Sequence, residues 1–479
     1  MKITSALLFF LLLLWPITVH AEEQPTHNTD LDIMYQKIAT YDFRDDTVLP
    51  LQKNVLTAYS KDGTETADLA MKADPVPLET VWTIAFLRNP DLEAMRQMIR
   101  ARAEMYPQVM AIEALAAQNR SFLQGINTRT SMTVMNESPE LLFPGPGILS
   151  FNGRLAHLEV EMAMQEYTMK LRDIGADLLA LCAERESYRK SLLVLSDMLR
   201  LFSAFEDSLK TRFVTNQAMY PEVARFQAER ARMIAERETM KRMMDSFLAR
   251  INHLLGRPTL APIGNVRLPH PSKTPDFNSS LDEALEHRQE LHIQRLTIDI
   301  LQTLSQLKHR ATLSPLSPGF AYPKPAMEDM SEKGRMTKKK IIPDPLIVYR
   351  QTFRTEPSAG LSNNYQEQIA FLRELDHRIK AEEAREEEMK NDTSARLADA
   401  LAEYTNSLLK ETTERKKVLP ILQQGLESTT ASFRTGKVSF LEWLELFMKV
   451  LQSKLDVIQY SASAFKSLAE IHMLRGTLR

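Results

Sequence analysis

This sequence has almost no cysteine, no excess of basic residues and few long apolar runs. Cys182 is the only cysteine in 479 residues, so no intramolecular disulfide is possible and a buried, inert thiol is expected. The 62 acidic and 60 basic side chains and a pI near 6.6 give no indication of a nucleic-acid partner. Beyond Ala21, no apolar stretch approaches the roughly 20 residues that a transmembrane helix needs.

Residues for catalysis or metal binding are not grouped in any recognisable pattern. His287 and His292 are five positions apart and would lie on different faces of a helix. No glycine-rich phosphate loop, nucleophile elbow or Cys–His pair occurs. The 24 methionines are typical of gap filling in a hydrophobic core. The sequence therefore predicts a protein that is not an enzyme and that holds no metal and no cofactor.

The first residues have the order of a secretory signal peptide. Lys2 precedes an apolar run from Ala6 to Trp15, and small residues stand at Val19 and Ala21. This order predicts residues 1–21 as a signal peptide cleaved after Ala21; the alternative, an uncleaved anchor, needs a longer run. The polar, weakly periodic stretch over 22–75 is predicted to be an extended N-terminal arm.

Glycine and proline are absent from several very long stretches. Residues 222–255, 361–419 and 437–475 contain neither, and residues 155–219 contain only Gly175. A helix of 60 residues would be roughly 90 Å long, a length typical of coiled coils. In the last stretch, apolar residues alternate steps of three and four and predict a coiled-coil seam of Leu441, Leu444, Met448, Leu451, Leu455, Ile458, Ala462, Phe465 and Ala469.

The two halves of the chain resemble each other. At a shift of 220 residues, Phe433 matches Phe213 and Gly476 matches Gly256. At a shift of 199, the residues around Glu290 match those around Asp91. These shifts predict repeat one over 76–258, a linker over 259–276 and repeat two over 277–479. Proline-rich insertions interrupt the repeats at about 119–153 and 312–360; each is either an exposed loop or a strand-bearing segment.

Three motifs in this arrangement resemble the TolC family of outer-membrane efflux channel proteins. Residues 85–92 read Ala-Phe-Leu-Arg-Asn-Pro-Asp-Leu, similar to the family's opening Ala-x-x-x-Asn-Pro-Asp-Leu. Residues 143–148 read Phe-Pro-Gly-Pro-Gly-Ile and resemble the Pro-Gly-Lys segment that leads into a helix. Residues 433–445 are similar to the helix–turn–helix tip, in which a glycine turn is followed by two acids three positions apart. The resemblance covers roughly residues 76–476.

The resemblance implies a mainly α fold: a long antiparallel coiled-coil helical barrel made from the two repeats. The short strands of the insertions would form part of a trimeric β-barrel. It implies a homotrimer in the outer membrane and periplasm of a Gram-negative-type cell, acting as an efflux duct with a periplasmic adaptor protein and an inner-membrane pump. A non-conducting periplasmic coiled-coil scaffold that has lost the barrel is the alternative.

The resemblance also implies roles for the hairpin tips. Glu442 and Glu445 are three residues apart and share one helix face, so a trimer would gather them into a ring of gate carboxylates at the periplasmic mouth. Glu222 is the equivalent of Glu442 in repeat one. An ordinary solvated helix face is the alternative. The two turns, which would contact the adaptor, consist of Thr215, Asn216, Gln217, Gly436, Lys437 and Val438.

Overall fold

The computed structural model describes six main stretches of the chain. These stretches are residues 68–108, 148–214, 220–269, 274–313, 364–435 and 437–478, together with residues 33, 36, 43, 48–52, 55 and 56. The chain divides into two compact units. The first unit (Met1–Tyr41, Arg102–His157 and Gln306–Gln366) is described only in part. The second unit (Asp42–Ala101, Leu158–Ser305 and Glu367–Arg479) contains the hairpins discussed below.

Helices dominate the described residues, which confirms the mainly α fold predicted from the glycine-free stretches. In chain order the elements are β1 (Val76–Pro77), α1 (Leu78–Arg88), α2 (Pro90–Ala103), α3 (Ile148–Val214), α4 (Tyr220–Leu254), β2 (Val266–Arg267), α5 (Phe277–His287), α6 (Gln289–Leu313), α7 (Asn364–Thr413), a π-helical turn (Glu414–Val418), α8 (Leu419–Arg434) and α9 (Phe440–Arg475). The two short strands pair in parallel, with Val76 opposite Val266.

The long helices form two antiparallel hairpins. In hairpin one, Phe202 of α3 contacts Phe226 of α4, and the earlier Tyr188 contacts the later Phe247, so the helices run in opposite directions. In hairpin two, α7 and α8 form one arm and run antiparallel to α9, which forms the other arm. Lys410 lies over Tyr460, and Gly425 lies beside Leu446.

The same local geometry occurs twice at the two shifts read from the sequence. Helices α1 and α5 each have 11 residues and end in an extended cap, Asn89 and Arg288. Gly256 and Gly476 follow the second helix of each hairpin with φ of +60° and +80°. A Cβ on Gly256 would lie 2.4 Å from the Arg88 carbonyl oxygen, and one on Gly476 would lie 2.4 Å from that of His287. Glycine is required at both positions because the backbones approach so closely.

Gly175 serves close packing within the 67-residue helix α3. A Cβ there would come within 2.8 Å of the Leu49 side chain and still nearer that of Leu478. The Trp82 indole N–H donates to the Gly175 carbonyl at 2.9 Å. Leu49 of the predicted N-terminal arm is thus fully buried, as is Met71. The described part of the arm therefore packs on the helices.

Hairpin two differs from hairpin one at Pro420. This proline has no backbone N–H, and its ring would clash with the carbonyl four residues earlier, that of Lys416. The π-helical turn at Glu414–Val418 widens the helix at that place, and α8 begins directly after it. Helix α3 passes the equivalent position, Arg200, without interruption.

The predicted seam on α9 is partly wrong. Leu444, Leu451 and Ala462 are buried, but Leu441 is 39% exposed. The neighbouring row one residue earlier is buried as well: Phe440, Trp443, Phe447, Val450, Val457, Ala464 and Ile471. Helix α9 contacts α3 on one side and α7 with α8 on the other, so its buried face is wider than a two-helix seam.

Several predictions concern residues outside the described part of the chain. The signal peptide and most of both insertions, with the strands predicted in them, fall there. None of the described helices combines the length and apolar character needed to span a membrane.

Candidate gate and docking tip

The tip of hairpin two begins at a strongly capped helix. Ser439 is the N-cap of α9, and its hydroxyl oxygen accepts from the Glu442 backbone N–H at 3.3 Å. The Glu442 carboxylate in turn accepts from the Ser439 backbone N–H at 3.4 Å. This reciprocal capping box satisfies two N–H groups that the helix itself cannot, and the acid also complements the helix dipole. Glu442 therefore has a structural role in fixing the start of α9.

Two of the three predicted gate carboxylates are exposed. Glu442 and Glu445 share one face of the first turns of α9, while Trp443 and Leu444 between them are buried. Among the described residues no ion pair involves Glu445. Glu222 lies half-buried in the first turn of α4, which is the equivalent place in hairpin one. The structure thus brings two of the three predicted carboxylates onto one helix face.

The turn of hairpin two is closed by backbone hydrogen bonds. Lys437 N–H donates to the Ser432 carbonyl at 2.9 Å, and Thr435 N–H donates to that of Ala431 at 3.2 Å. The first of these joins an N–H to the carbonyl five residues earlier, as in a Schellman motif, which ends a helix and reverses the chain. Lys437 is exposed and Val438 half-buried. Gly436 lies outside the described residues.

The turn of hairpin one is described only at its two ends. Thr215, Asn216 and Gln217 lie outside the described residues. The flanking residues expose apolar surface: Phe213 is 42%, Val214 81% and Tyr220 71% exposed. Exposed side chains of this kind at the end of a hairpin favour contact with another protein.

An aromatic cluster at the tip was not predicted from the sequence. Phe202 stacks on Phe226 at 4.2 Å between ring centroids, and Phe205 stacks on Trp443 at 4.0 Å. The Trp443 indole N–H donates to the Thr430 hydroxyl at 3.0 Å. The aromatic cluster consists of Phe202, Phe205, Phe226, Phe433, Phe440, Trp443 and Phe447. It joins both hairpins in one core directly behind the gate carboxylates.

The spacing of Phe440, Trp443 and Phe447 was the sequence signal for this cluster. Steps of three and four residues place these rings on one helix face. Pairs of aromatic rings at such distances add about 0.5–1.5 kcal/mol each beyond the burial of their area. The cluster therefore fixes where the turns of both hairpins lie relative to each other.

A buried ion pair holds α3 to the start of α6. Arg172 is 1% exposed and donates to both carboxylate oxygens of Glu290, at 2.8 and 2.9 Å. Burial alone would raise the pKa of Glu290, but the hydrogen bonds and charge of Arg172, with the charge of Arg288, lower it to about 2. The equivalent acid in repeat one, Asp91, is 70% exposed and lies 3.8 Å from Lys170.

A metal site is not formed by the described residues, since no three His, Cys, Asp or Glu side chains lie close enough together to hold one ion. The described geometry consists of packed hairpins with an acidic face at one tip. No family model and no curated protein matches the sequence.

Solved structures of bacterial outer-membrane proteins do match the fold. The outer-membrane channel OprN superposes with a TM-score of 0.61 at 12% identity, covering 91% of this chain and 98% of that one. The outer-membrane protein VceC from Vibrio cholerae gives 0.55 at 14% identity, covering 84% and 97%. The open-state MtrE outer-membrane channel from Neisseria gonorrhoeae gives 0.58 at 11% identity, covering 84% and 89%.

The chain therefore has the fold of TolC-type outer-membrane channels. At these identities the likeness is one of fold, and it extends over the great majority of both chains. The resemblance read from the tip and opening motifs is confirmed at that level.

Proposed function

We propose that this protein is an exported duct of the outer membrane and periplasm that conducts solutes out of a Gram-negative-type cell. The fold likeness to outer-membrane channels over 84–91% of the chain carries this proposal. The long antiparallel hairpins support it, because helices of 67 and 50 residues suit the wall of a conduit better than a globular enzyme. In this proposal the protein has no catalytic activity, and transport is driven elsewhere.

Three copies of the chain would form the duct. The described part of one chain supplies two hairpins, and ring closure by identical copies is the usual way to complete such a wall. An inner-membrane pump would supply the energy, and a periplasmic adaptor would contact the tips. The exposed Val214 and Tyr220 and the exposed Lys437 support the tips as this docking site. Thr215, Asn216, Gln217, Gly436 and Val438 complete the proposed contact.

Electrical recording from the purified protein in planar bilayers tests the function. Stepwise conductance is expected of a duct, whereas a coiled-coil scaffold without a pore would give none. The same recordings test the proposed gate formed by Glu442 and Glu445.

Replacing both Glu442 and Glu445 by glutamine is expected to weaken block by divalent and trivalent cations and to reduce cation selectivity. Three copies would bring six carboxylates to the mouth, where a ring of acids attracts cations. Folding should be little affected, because exposed charges contribute little to stability. Glutamine at 442 also keeps an oxygen that can accept from the Ser439 backbone N–H.

The matched control is Glu427→Gln together with Asp456→Asn. It removes two acids of hairpin two that lie outside the first turns of α9. Its block by cations should equal that of the wild type. Unchanged block in the Glu442/Glu445 variant would show that these acids form only a solvated helix face.

A further inference from the structure

Helix α9 carries a buried hydroxyl group between apolar neighbours. Ser453 is 3% exposed, and Val450 and Val457, one turn away on either side, are buried as well. The Ser453 hydroxyl makes no hydrogen bond to any residue that the structure describes. By contrast, the buried Ser467 of the same helix donates to the Ser463 carbonyl at 3.2 Å. Burying a hydroxyl without a partner is costly, so a partner for Ser453 is expected.

Ser453 faces the arm of hairpin two that consists of α7, the π-helical turn and α8. Leu446, Ser453 and Tyr460 follow each other at steps of seven residues, which keeps them near one face of α9. Leu446 lies beside Gly425 of α8, and Tyr460 lies under Lys410 of α7. The middle of the range 410–425 falls in the π-helical turn, which α9 contacts. Ser453 is therefore level with this turn.

The π-helical turn leaves one backbone carbonyl without its donor. The Leu419 N–H donates to the Glu414 carbonyl, five residues earlier. The next residue, Pro420, has no N–H. The carbonyl that would accept from residue 420 is that of Arg415 in the π-helical pattern or that of Lys416 in the α-helical pattern. One of these two carbonyls therefore needs a donor from outside the helix ladder.

Comparison of the two repeats shows that the arm gains one residue at this place. In α8 and beyond, the repeats match at a shift of 220, as Phe433 with Phe213 shows. Upstream of the turn, the buried residues of α7 and α3 match at a shift of 219: Leu397 with Leu178, Ala400 with Leu181, and Leu401 with Cys182. An extra residue in a regular α-helix would rotate the following face by about 100°. The π-helical turn absorbs this residue and keeps the apolar face of α8 on α9.

The chemistry at this level of hairpin two fits a neutral molecule that both donates and accepts. The free carbonyl needs a donor, whereas the Ser453 hydroxyl can either donate or accept. The turn Glu414–Val418 contains three basic side chains and one acid, so a cation is disfavoured. An anion would need several donors, and the Ser453 hydroxyl supplies one hydrogen. Water meets these requirements, since buried waters typically make two to four hydrogen bonds to groups of this kind.

We propose that a water molecule binds between the Ser453 hydroxyl and the carbonyl that Pro420 leaves without a donor. The water donates one hydrogen to that carbonyl and forms its second hydrogen bond with the Ser453 hydroxyl. It holds the widened turn on α9, so hairpin two has a hydrated joint where α3 of hairpin one is a continuous helix. The site lies within one chain and is therefore independent of the proposed duct.

Replacing Ser453 by alanine tests the site in the full-length protein. This variant removes one partner of the water, so its Tm should lie about 1–2 °C below that of the matched control, Ser467→Ala. The control cancels the higher helix propensity of alanine and leaves the Ser463 carbonyl with its helix donor. If Ser453 had no partner, alanine would remove only an unsatisfied group. A Tm equal to or above that of the control would therefore overturn the proposal.

A straightened arm separates the contribution of the site from that of the serine itself. Deleting Lys416 and replacing Pro420 by alanine gives the arm the uninterrupted pattern of α3, in which every interior carbonyl has its donor. In this background Ser453→Ala should no longer lower the Tm relative to Ser467→Ala, because the carbonyl partner of the water is gone. The same loss in both backgrounds would overturn the proposal.

The wild-type protein offers a test that does not depend on the folding of any variant. A high-resolution crystal structure should show a density peak about 2.7–3.2 Å from Ser453 Oγ and from a carbonyl oxygen of the π-helical turn. A well-ordered Ser453 and a well-ordered turn with no peak between them would overturn the proposal.

Discussion

Replacing Trp443 by alanine is expected to destabilise the tip by about 3–5 kcal/mol, the range for removing a buried aromatic side chain. Trp443 is 1% exposed and contacts Phe205, Phe433, Phe440 and Phe447, so alanine would leave a cavity at the centre of the aromatic cluster. Amide hydrogen exchange should accelerate throughout α8 and the first turns of α9. The upper part of α9, around Ile471, should keep its protection because a separate core holds it.

Two further substitutions serve as controls for the Trp443→Ala variant. Leu441→Ala removes an apolar side chain two residues away that is 39% exposed, and it should change exchange little. Trp443→Phe keeps a ring but loses the hydrogen bond to Thr430, and it should cost about 1 kcal/mol. If Trp443→Ala and Leu441→Ala gave equal exchange, the aromatic cluster would not be the element that joins the hairpins.

Replacing Glu290 by glutamine is expected to lower the stability of the protein at pH 7 by about 2–4 kcal/mol. The change leaves the guanidinium of Arg172, which is 1% exposed, without its main counter-charge. The expected cost is below that of a fully buried pair because the Glu290 side chain is 28% exposed. Thermal unfolding of the two proteins measures the difference as a shift in Tm.

The effect should depend on pH in a defined direction. Because the folded-state pKa of Glu290 is lowered from 4.5 to about 2, its contribution is present in full above the unfolded value. It is lost as the pH falls from about 4.5 towards 2. The Tm difference between wild type and Glu290→Gln should therefore be constant from pH 7 to about 5.5 and shrink below that. Asp91→Asn, at the exposed counterpart, should leave the Tm almost unchanged, and an equal loss there would contradict the account.

The long helices and the hairpin tip of repeat two could be predicted from the sequence because both depend on local pattern. Absence of glycine and proline fixes helix length, and residues 433–445 contain a turn and two acids at helical spacing. The capping box at Ser439 and Glu442 is equally local. Its presence, however, shows that Glu442 stabilises its own helix, a role that the resemblance did not imply.

The aromatic cluster and the buried pair depend on contacts between residues far apart in the sequence. Phe202 and Trp443 meet only when the two hairpins pack together, and Arg172 and Glu290 are separated by 118 positions. The width of the buried face of α9 was missed for the same reason, since a heptad pattern describes one partner helix, whereas α9 contacts α3, α7 and α8.

Single-channel recording in planar bilayers tests the proposed duct most directly. Purified protein is added to one side of the bilayer, and current is recorded at fixed voltage in symmetrical salt. The account predicts discrete, reproducible conductance steps that divalent or trivalent cations reduce, with weaker block in the Glu442→Gln, Glu445→Gln variant. The contradicting result is a protein that sedimentation shows to be assembled but that gives no conductance steps at any voltage or salt concentration. That result would reject the duct and leave a periplasmic scaffold as the function.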